Sequence, residues 1–261
     1  MNALLASKAY DITGVVAIAC AQHGCYVPNA LVDLYLGEQQ KVVDFGILKA
    51  ICLTHVDPEQ GLLLIYDIVC QYIVHFWDRI GHLLPDGLEV DTAIGLFHVH
   101  AHKDDCFFRF ASTFIPGAGI MAGEILESLW STLNSISPSA CMATLAHRAE
   151  LLDDHTTDLN HKKMLSIISS LSKNHWKAID MSQLAQEYYD NLTNVAGMTS
   201  IGLWEKEILE AESKRSENRS AMDIYVSKTE RPITQVSAAL DPQSSALDTW
   251  MAFALTVEDK Q

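Results

Sequence analysis

Long apolar runs are missing from this chain. No stretch of about 18 consecutive apolar residues occurs, which excludes a membrane-spanning helix as its organising element. Basic residues are scarce as well: 18 Lys and Arg stand against 33 Asp and Glu, a net charge of −15. A protein that grips nucleic acid ordinarily offers phosphates a basic face, so this balance argues against DNA handling. No basic localisation cluster is present, since Lys214-Arg215 is too short to count. The start, Met1-Asn-Ala-Leu-Leu-Ala-Ser-Lys-Ala-Tyr10, lacks a charged region followed by an apolar one, so no secretory leader is read and an intracellular, soluble protein is expected. Cysteine is too sparse for a disulfide scaffold: the 6 residues Cys20, Cys25, Cys52, Cys70, Cys106 and Cys141 read as reduced thiols, several packed in the core, or as metal ligands. No internal repeat is found, and the composition is neither fibrous nor disordered. What remains is a chain of 261 residues, 49% hydrophobic, able to bury a core as one domain or one domain with an appendage.

Hydrophobic patterning divides the chain. Residues 11–19 read as a strand and Val27-Pro-Asn as a turn. The apolar run Gly61-Leu-Leu-Leu-Ile-Tyr-Asp-Ile-Val-Cys-Gln71 predicts a strand over 62–69 covered on both faces, interrupted by Asp67. Tyr72, Phe76, Trp77 and Ile80 recur at helical spacing over 71–84 until Leu84-Pro-Asp-Gly breaks it. Over 94–101 the pattern alternates, with Phe97, Val99 and Ala101 on one face and His98, His100 and His102 on the other, and a second strand is predicted. After the loop Ile115-Pro-Gly-Ala-Gly comes an amphipathic helix over 124–133, with Glu124 in its first turn. Helical patterns follow over 142–152, 161–171, 176–194 and 201–212, then a Ser-, Lys-, Pro- and Gln-rich linker over 214–246 and a last helix near the C-terminus.

Asp67 is the first candidate for chemistry, because enzymes that cut phosphodiesters hold divalent metals between carboxylates delivered by strand ends. Glu124 is the second, and Glu127 lies one turn further along the same helix face. Acids that cap helices and face solvent are the bland alternative, and Asp153-Asp154-His155 with Asp158 reads more readily as a cap than as a cation site. A second chemistry is suggested by Cys20-Ala-Gln-His23-Gly-Cys25 and by His98, His100, His102 and Cys106, since thiolate and imidazole suit Zn2+. Buried thiols and satisfied histidines are the alternative there. His98 and His100 converging with Asp67 around an open metal position would make a zinc-dependent hydrolase.

Taken in order, Asp11-Ile-Thr-Gly-Val-Val, Cys20-Ala-Gln-His-Gly-Cys25-Tyr, Tyr66-Asp-Ile-Val-Cys-Gln71 and Phe97-His-Val-His-Ala-His-Lys-Asp-Asp-Cys106 resemble segments of the KDZ (Kyakuja-Dileera-Zisupton) transposases of mushroom-forming fungi. Gly117-Ala-Gly, Gly123-Glu-Ile-Leu-Glu-Ser-Leu-Trp130 and Leu152-Asp-Asp-His155 continue the series. The resemblance implies an α/β chain with an RNase H-like catalytic core of the Asp-Asp-Glu type, in which carboxylates hold Mg2+ for DNA strand cleavage and transfer. It implies Asp67 as second acid and Glu124 as third, with Glu127 as the alternative third. Departures accompany it. The family's first catalytic Asp lies on an earlier strand, upstream of the segment where this chain begins, and Asp11 stands in a different motif. Ala122 occupies a position where the family commonly has Asp, and Leu159-Asn-His161 replaces a Trp-Asn-Trp-like stretch.

The expectation is a truncated, inactive transposase descendant: a partial RNase H-like core over 1–170, a helical extension over 171–213, a linker over 214–246 and a C-terminal helix over 247–261. An intact relative would bind DNA and work in the nucleus. The rival readings are a domesticated interaction or scaffold protein with a protein partner, which the acidity favours, and the zinc-dependent hydrolase.

Overall fold

The computed structural model describes residues 11–119 and 121–226, so the linker beyond 226 and the expected helix over 247–261 lie outside the described residues. β1 (Gly14–Ala19) and β2 (Tyr26–Leu34) pair antiparallel, with Val16 opposite Val32 and a register shift between Ala17 and Ala19. The turn expected at Val27-Pro-Asn is instead part of β2. Proline lacks a ladder donor and is tolerated where a strand has an unpaired side. Asn29, at a φ of 56°, takes up the local irregularity.

α1 (Gln40–Thr54) follows, a helix the sequence reading did not single out. Val43, Ile47 and Ile51 recur every fourth residue and are buried, the signature of one packed helix face. β3 (Leu62–Ile65) and β4 (Val90–Ala93) pair parallel, Leu62 opposite Val90 and Ile65 opposite Ala93. β3 is shorter than predicted and half-buried throughout rather than covered on both faces, because the chain leaves the sheet before Asp67. The single helix expected over 71–84 is broken into α2 (Val69–Tyr72), a 3-10 turn, α3 (Phe76–Ile80) and a second 3-10 turn. Tyr72, Phe76 and Ile80 still share a face, and they pack with Val43, Ile47, Ile51, Ile94, Val99 and Phe110 into the main core. Val16 and Ile18 of β1 and Leu62 and Leu64 of β3 border this same core, although no ladder joins the two sheets among the described residues.

The strand expected over 94–101 is a correction: the strand is β4, and the histidines lie on and after α4 (Leu96–Val99), a single helical turn. Alternation over so few residues does not separate a strand from one turn of helix. α5 (Asp104–Phe110), α6 (Ile125–Leu133) and α7 (Ser137–Met142) complete the packed part.

α8 (Leu145–Ala196) is one helix of 52 residues where three were expected. It holds neither proline nor glycine, so nothing in its sequence stops it between the Thr144 cap and Gly197, whose φ of 79° ends it. The acidic knot at Asp153 and Asp154 is therefore inside a helix and caps nothing. The first half of α8 is fastened to the hairpin: the Asn160 side chain accepts from the Tyr26 N–H (2.8 Å) and donates to its carbonyl (2.9 Å), and Arg148 pairs with Asp33. α9 (Met198–Ser213) returns along α8, Tyr189 donating to Glu205 at 3.0 Å. Beyond it Arg109 donates to the Ser216 carbonyl (3.1 Å) and Arg215 to the carbonyls of Arg109 and Phe114. The result is a mixed α/β chain, mainly helical. Among the described residues no helix is long and apolar enough to cross a membrane.

Three tyrosines make the fold sensitive to alkali. Burial pushes the Tyr26 phenol up to about 12. Burial first, and then a hydrogen bond to Glu38, raises Tyr66; burial first, and then a hydrogen bond to Asp44, raises Tyr72. An unfolded tyrosine ionises near 10. A folded-state value above that contributes stability that is complete below about pH 10 and lost as pH rises further. In a titration from about pH 9 upward, part of the tyrosinate absorbance should therefore appear only together with loss of the helical circular dichroism signal. Ionisation of every tyrosine before any loss of helix would contradict this.

Candidate functional site

The carboxyl ends of β3 and β4 lie side by side because the strands run parallel, and ligand sites in α/β proteins form beyond such ends. Tyr66 closes the ladder by donating its N–H to the Ala93 carbonyl (3.0 Å), and Asp67 follows outside the sheet. On the neighbouring strand, Gly95 caps α4. The first N–H groups of a helix have no partner within it. Here the Ala122 carbonyl accepts from Leu96 N (2.8 Å) and the Glu124 carboxylate from Phe97 N (3.1 Å). Glu124 thus stands at the cap of α6 while its side chain caps α4.

This arrangement fixes His98 among acids. Its Nε2 lies 3.2 Å from Glu124 Oε2, 3.7 Å from Glu127 Oε1 and 3.8 Å from Asp67 Oδ2. The Glu124 side chain is 23% exposed and that of His98 31%, against 55% for Asp67 and 64% for Glu127, so the cluster has a sheltered and an open side. When protonated, the imidazole offsets one of three like charges gathered around one atom. The remainder favours a cation, and carboxylate oxygens are the donors that a hard divalent ion prefers. Beside Asp67, Tyr66 donates to Glu38 Oε1 at 2.5 Å, its phenol held protonated by burial and by the nearby charges of Glu38 and Asp67.

The approach depends on two glycines. A Cβ on Gly95 would fall 2.2 Å from Glu124 Oε1, and one on Gly123 would fall 2.9 Å from the Gly95 Cα. Gly123 also has a φ of 76°, in the left-handed region.

The residues proposed as zinc ligands are divided by the structure. Cys20 and His23 meet in the turn between β1 and β2, Sγ to Nδ1 3.3 Å, but Cys25 does not close a group of three with them. His98 lies among the acids, and His100 packs against the Phe107 ring with centroids 5.2 Å apart. Among the described residues, Cys70, His102 and Cys106 form a group close enough to hold a metal such as zinc. No spacing rule joins Cys70 to this group, because 32 residues separate it from His102. Burial raises the Cys106 thiol, with Cys70 beside it as a further cause.

Residues 2–160, more than half of the chain, match the Kyakuja-Dileera-Zisupton transposase family. No curated protein and no solved structure matches.

Proposed function

The chain belongs to the Kyakuja-Dileera-Zisupton transposase family, and from that premise we propose that it is a transposase-derived protein carrying an incomplete strand-cleavage site at the ends of β3 and β4. On this reading Asp67 and Glu124 are the second and third acids of an Asp-Asp-Glu set on an RNase H-like core, and Glu127 stands in reserve on the α6 face. The observation that carries it is the meeting of Asp67 with Glu124 around His98, from segments far apart in the chain. The order hairpin, helix, then two parallel strands with an acid just past the first of them supports the core assignment. On this reading the first acid of the set belongs to a strand earlier in the order than β1. Among the described residues no such strand is present and no other carboxylate reaches His98, so the protein is read as an inactive or very weak nuclease. Mg2+ held by Asp67 and Glu124 would neutralise the acids and polarise a phosphate oxygen. An intact relative would do this to DNA in the nucleus.

A second reading, an interaction protein that keeps the family fold without cleaving DNA, is favoured by the net charge of −15 and by the exposed Leu165, Ile168 and Trp176 on α8.

Thermal melting with and without Mn2+, run beside a plasmid-nicking assay, tests the proposal. At a tenfold excess over Kd a bound ion stabilises by about 1.4 kcal/mol, which raises Tm by roughly 3–6 °C in a domain of this size. That rise should vanish in Asp67→Asn combined with Glu124→Gln, and no nicking should be seen. Absence of any Mn2+ response would remove the metal-holding site, and nicking lost on Asp67→Asn would overturn the inactivity.

A further inference from the structure

Each strand of the parallel pair runs into a short helix at its carboxyl end, and those segments carry Asp67 and His98. Three residues past Asp67, in α2, is Cys70; four past His98 is His102; and Cys106 sits in α5 just beyond. Cys70 Sγ and His102 Nδ1 are 3.5 Å apart, and the three ligand atoms all lie within 4.8 Å of one another. All three residues are partly buried, and both thiols are free. In a tetrahedral zinc site with bonds of about 2.3 Å to sulfur and 2.0 Å to nitrogen, neighbouring ligand atoms stand roughly 3.5–3.8 Å apart. The observed separations need only a small contraction to reach that geometry. Cys70 is hydrogen-bonded both to His102 and to Cys106, and both thiols border the main core, so the fold itself brings the three ligand atoms to one point. By contrast, Cys52 and Cys141 are exposed and join no such group among the described residues.

We infer that Cys70, His102 and Cys106 bind one zinc ion, with water in the fourth position, and that the ion clamps the Asp67 segment to the His98 segment. The ion would add a coordinate link between two turns that leave neighbouring strands and already share the main core through Val69, Tyr72 and Val99, and the water keeps one of its positions open. The site is separate from the carboxylate cluster and uses none of its residues, so zinc uptake stands or falls independently of nuclease activity.

Cobalt titration of the purified full chain tests this. One equivalent of Co2+ should bind with the visible bands of a tetrahedral ion and a thiolate charge-transfer band of two-thiolate intensity. Cys70→Ser and Cys106→Ser should each halve that band and weaken binding by more than the roughly 10–100-fold that loss of an outer-shell partner costs. Cys20→Ser and Cys25→Ser should leave both unchanged. Should the Cys70 or Cys106 variants not fold, alkylation of the unmutated chain gives the answer: Zn2+ should protect Cys70 and Cys106 while Cys52 and Cys141 react as before. Failure to bind cobalt, uptake that depends on Cys20 instead of Cys70, or alkylation of Cys70 that zinc does not slow would each overturn the inference.

Discussion

Asp44→Ala is expected to cost about 3–5 kcal/mol, the loss that follows when one member of a buried ion pair is removed. Asp44 is only 5% exposed. Its carboxylate receives Arg79 in a two-pronged contact, Nε to Oδ2 at 2.8 Å and Nη2 to Oδ1 at 3.0 Å, and the Tyr72 hydroxyl at 2.5 Å. The guanidinium also lies over the Tyr72 ring, 4.7 Å from its centroid. Removing the acid therefore strands a positive charge and a fully buried phenol at once. Native domains hold only about 5–15 kcal/mol in total, so urea unfolding should show the midpoint falling by a large fraction of its value. Asp44→Asn keeps an acceptor for Tyr72 and should cost less. Asp44→Leu with Arg79→Met removes both charges from the core and should recover much of the loss, since apolar replacements of whole buried pairs are often tolerated. A single Asp44→Ala variant as stable as the parent would show that the pair contributes nothing.

That network was invisible in the sequence for a physical reason. In a chain with 33 acids, nothing local marks the one whose counter-charge arrives from a helix 35 residues away. The same limit hid Cys70 among the cysteines and gave His98, His100 and His102 a common strand face that the fold does not build. Local alternation is a weak guide over four residues, and the choice between strand and turn was made by tertiary partners: Ala122 and Glu124 satisfy the N–H groups that begin α4. What was legible had either length or order. The amphipathic run of α6 put Glu124 at its start and the branched residues before Asp67 marked β3, whereas α8 was divided into three at breaks in its apolar pattern that no proline or glycine enforces. The family resemblance paired Asp67 with Glu124, a pairing that periodicity alone could not supply, and the two acids do stand around one imidazole.

Gly123→Ala is expected to lose about 2–5 kcal/mol, and with it the cation response of the acids. Two contributions combine. A side chain at a φ of 76° carries a conformational cost of about 1–2 kcal/mol. The new Cβ would also lie 2.9 Å from the Gly95 Cα and 3.1 Å from Ile65 Cγ2, an overpacking of backbone against backbone that costs roughly 1–3 kcal/mol. Gly119→Ala separates the two, because its φ of 67° is equally unsuited to a side chain while nothing lies within 4 Å. It should show the conformational cost alone, and Mn2+ should still raise its Tm. Gly95→Ala probes the other partner: the three atoms nearest its Cβ all belong to the Glu124 carboxylate, the far end of a flexible side chain, so the carboxylate should swing off Phe97 N and His98 at small cost in stability. Stability close to the parent's together with a lost Mn2+ response in Gly95→Ala, set against a large loss of stability in Gly123→Ala, would mean that this glycine contact holds the third acid in place. Equal effects in Gly119→Ala and Gly123→Ala would mean that the close approach of the two segments contributes nothing.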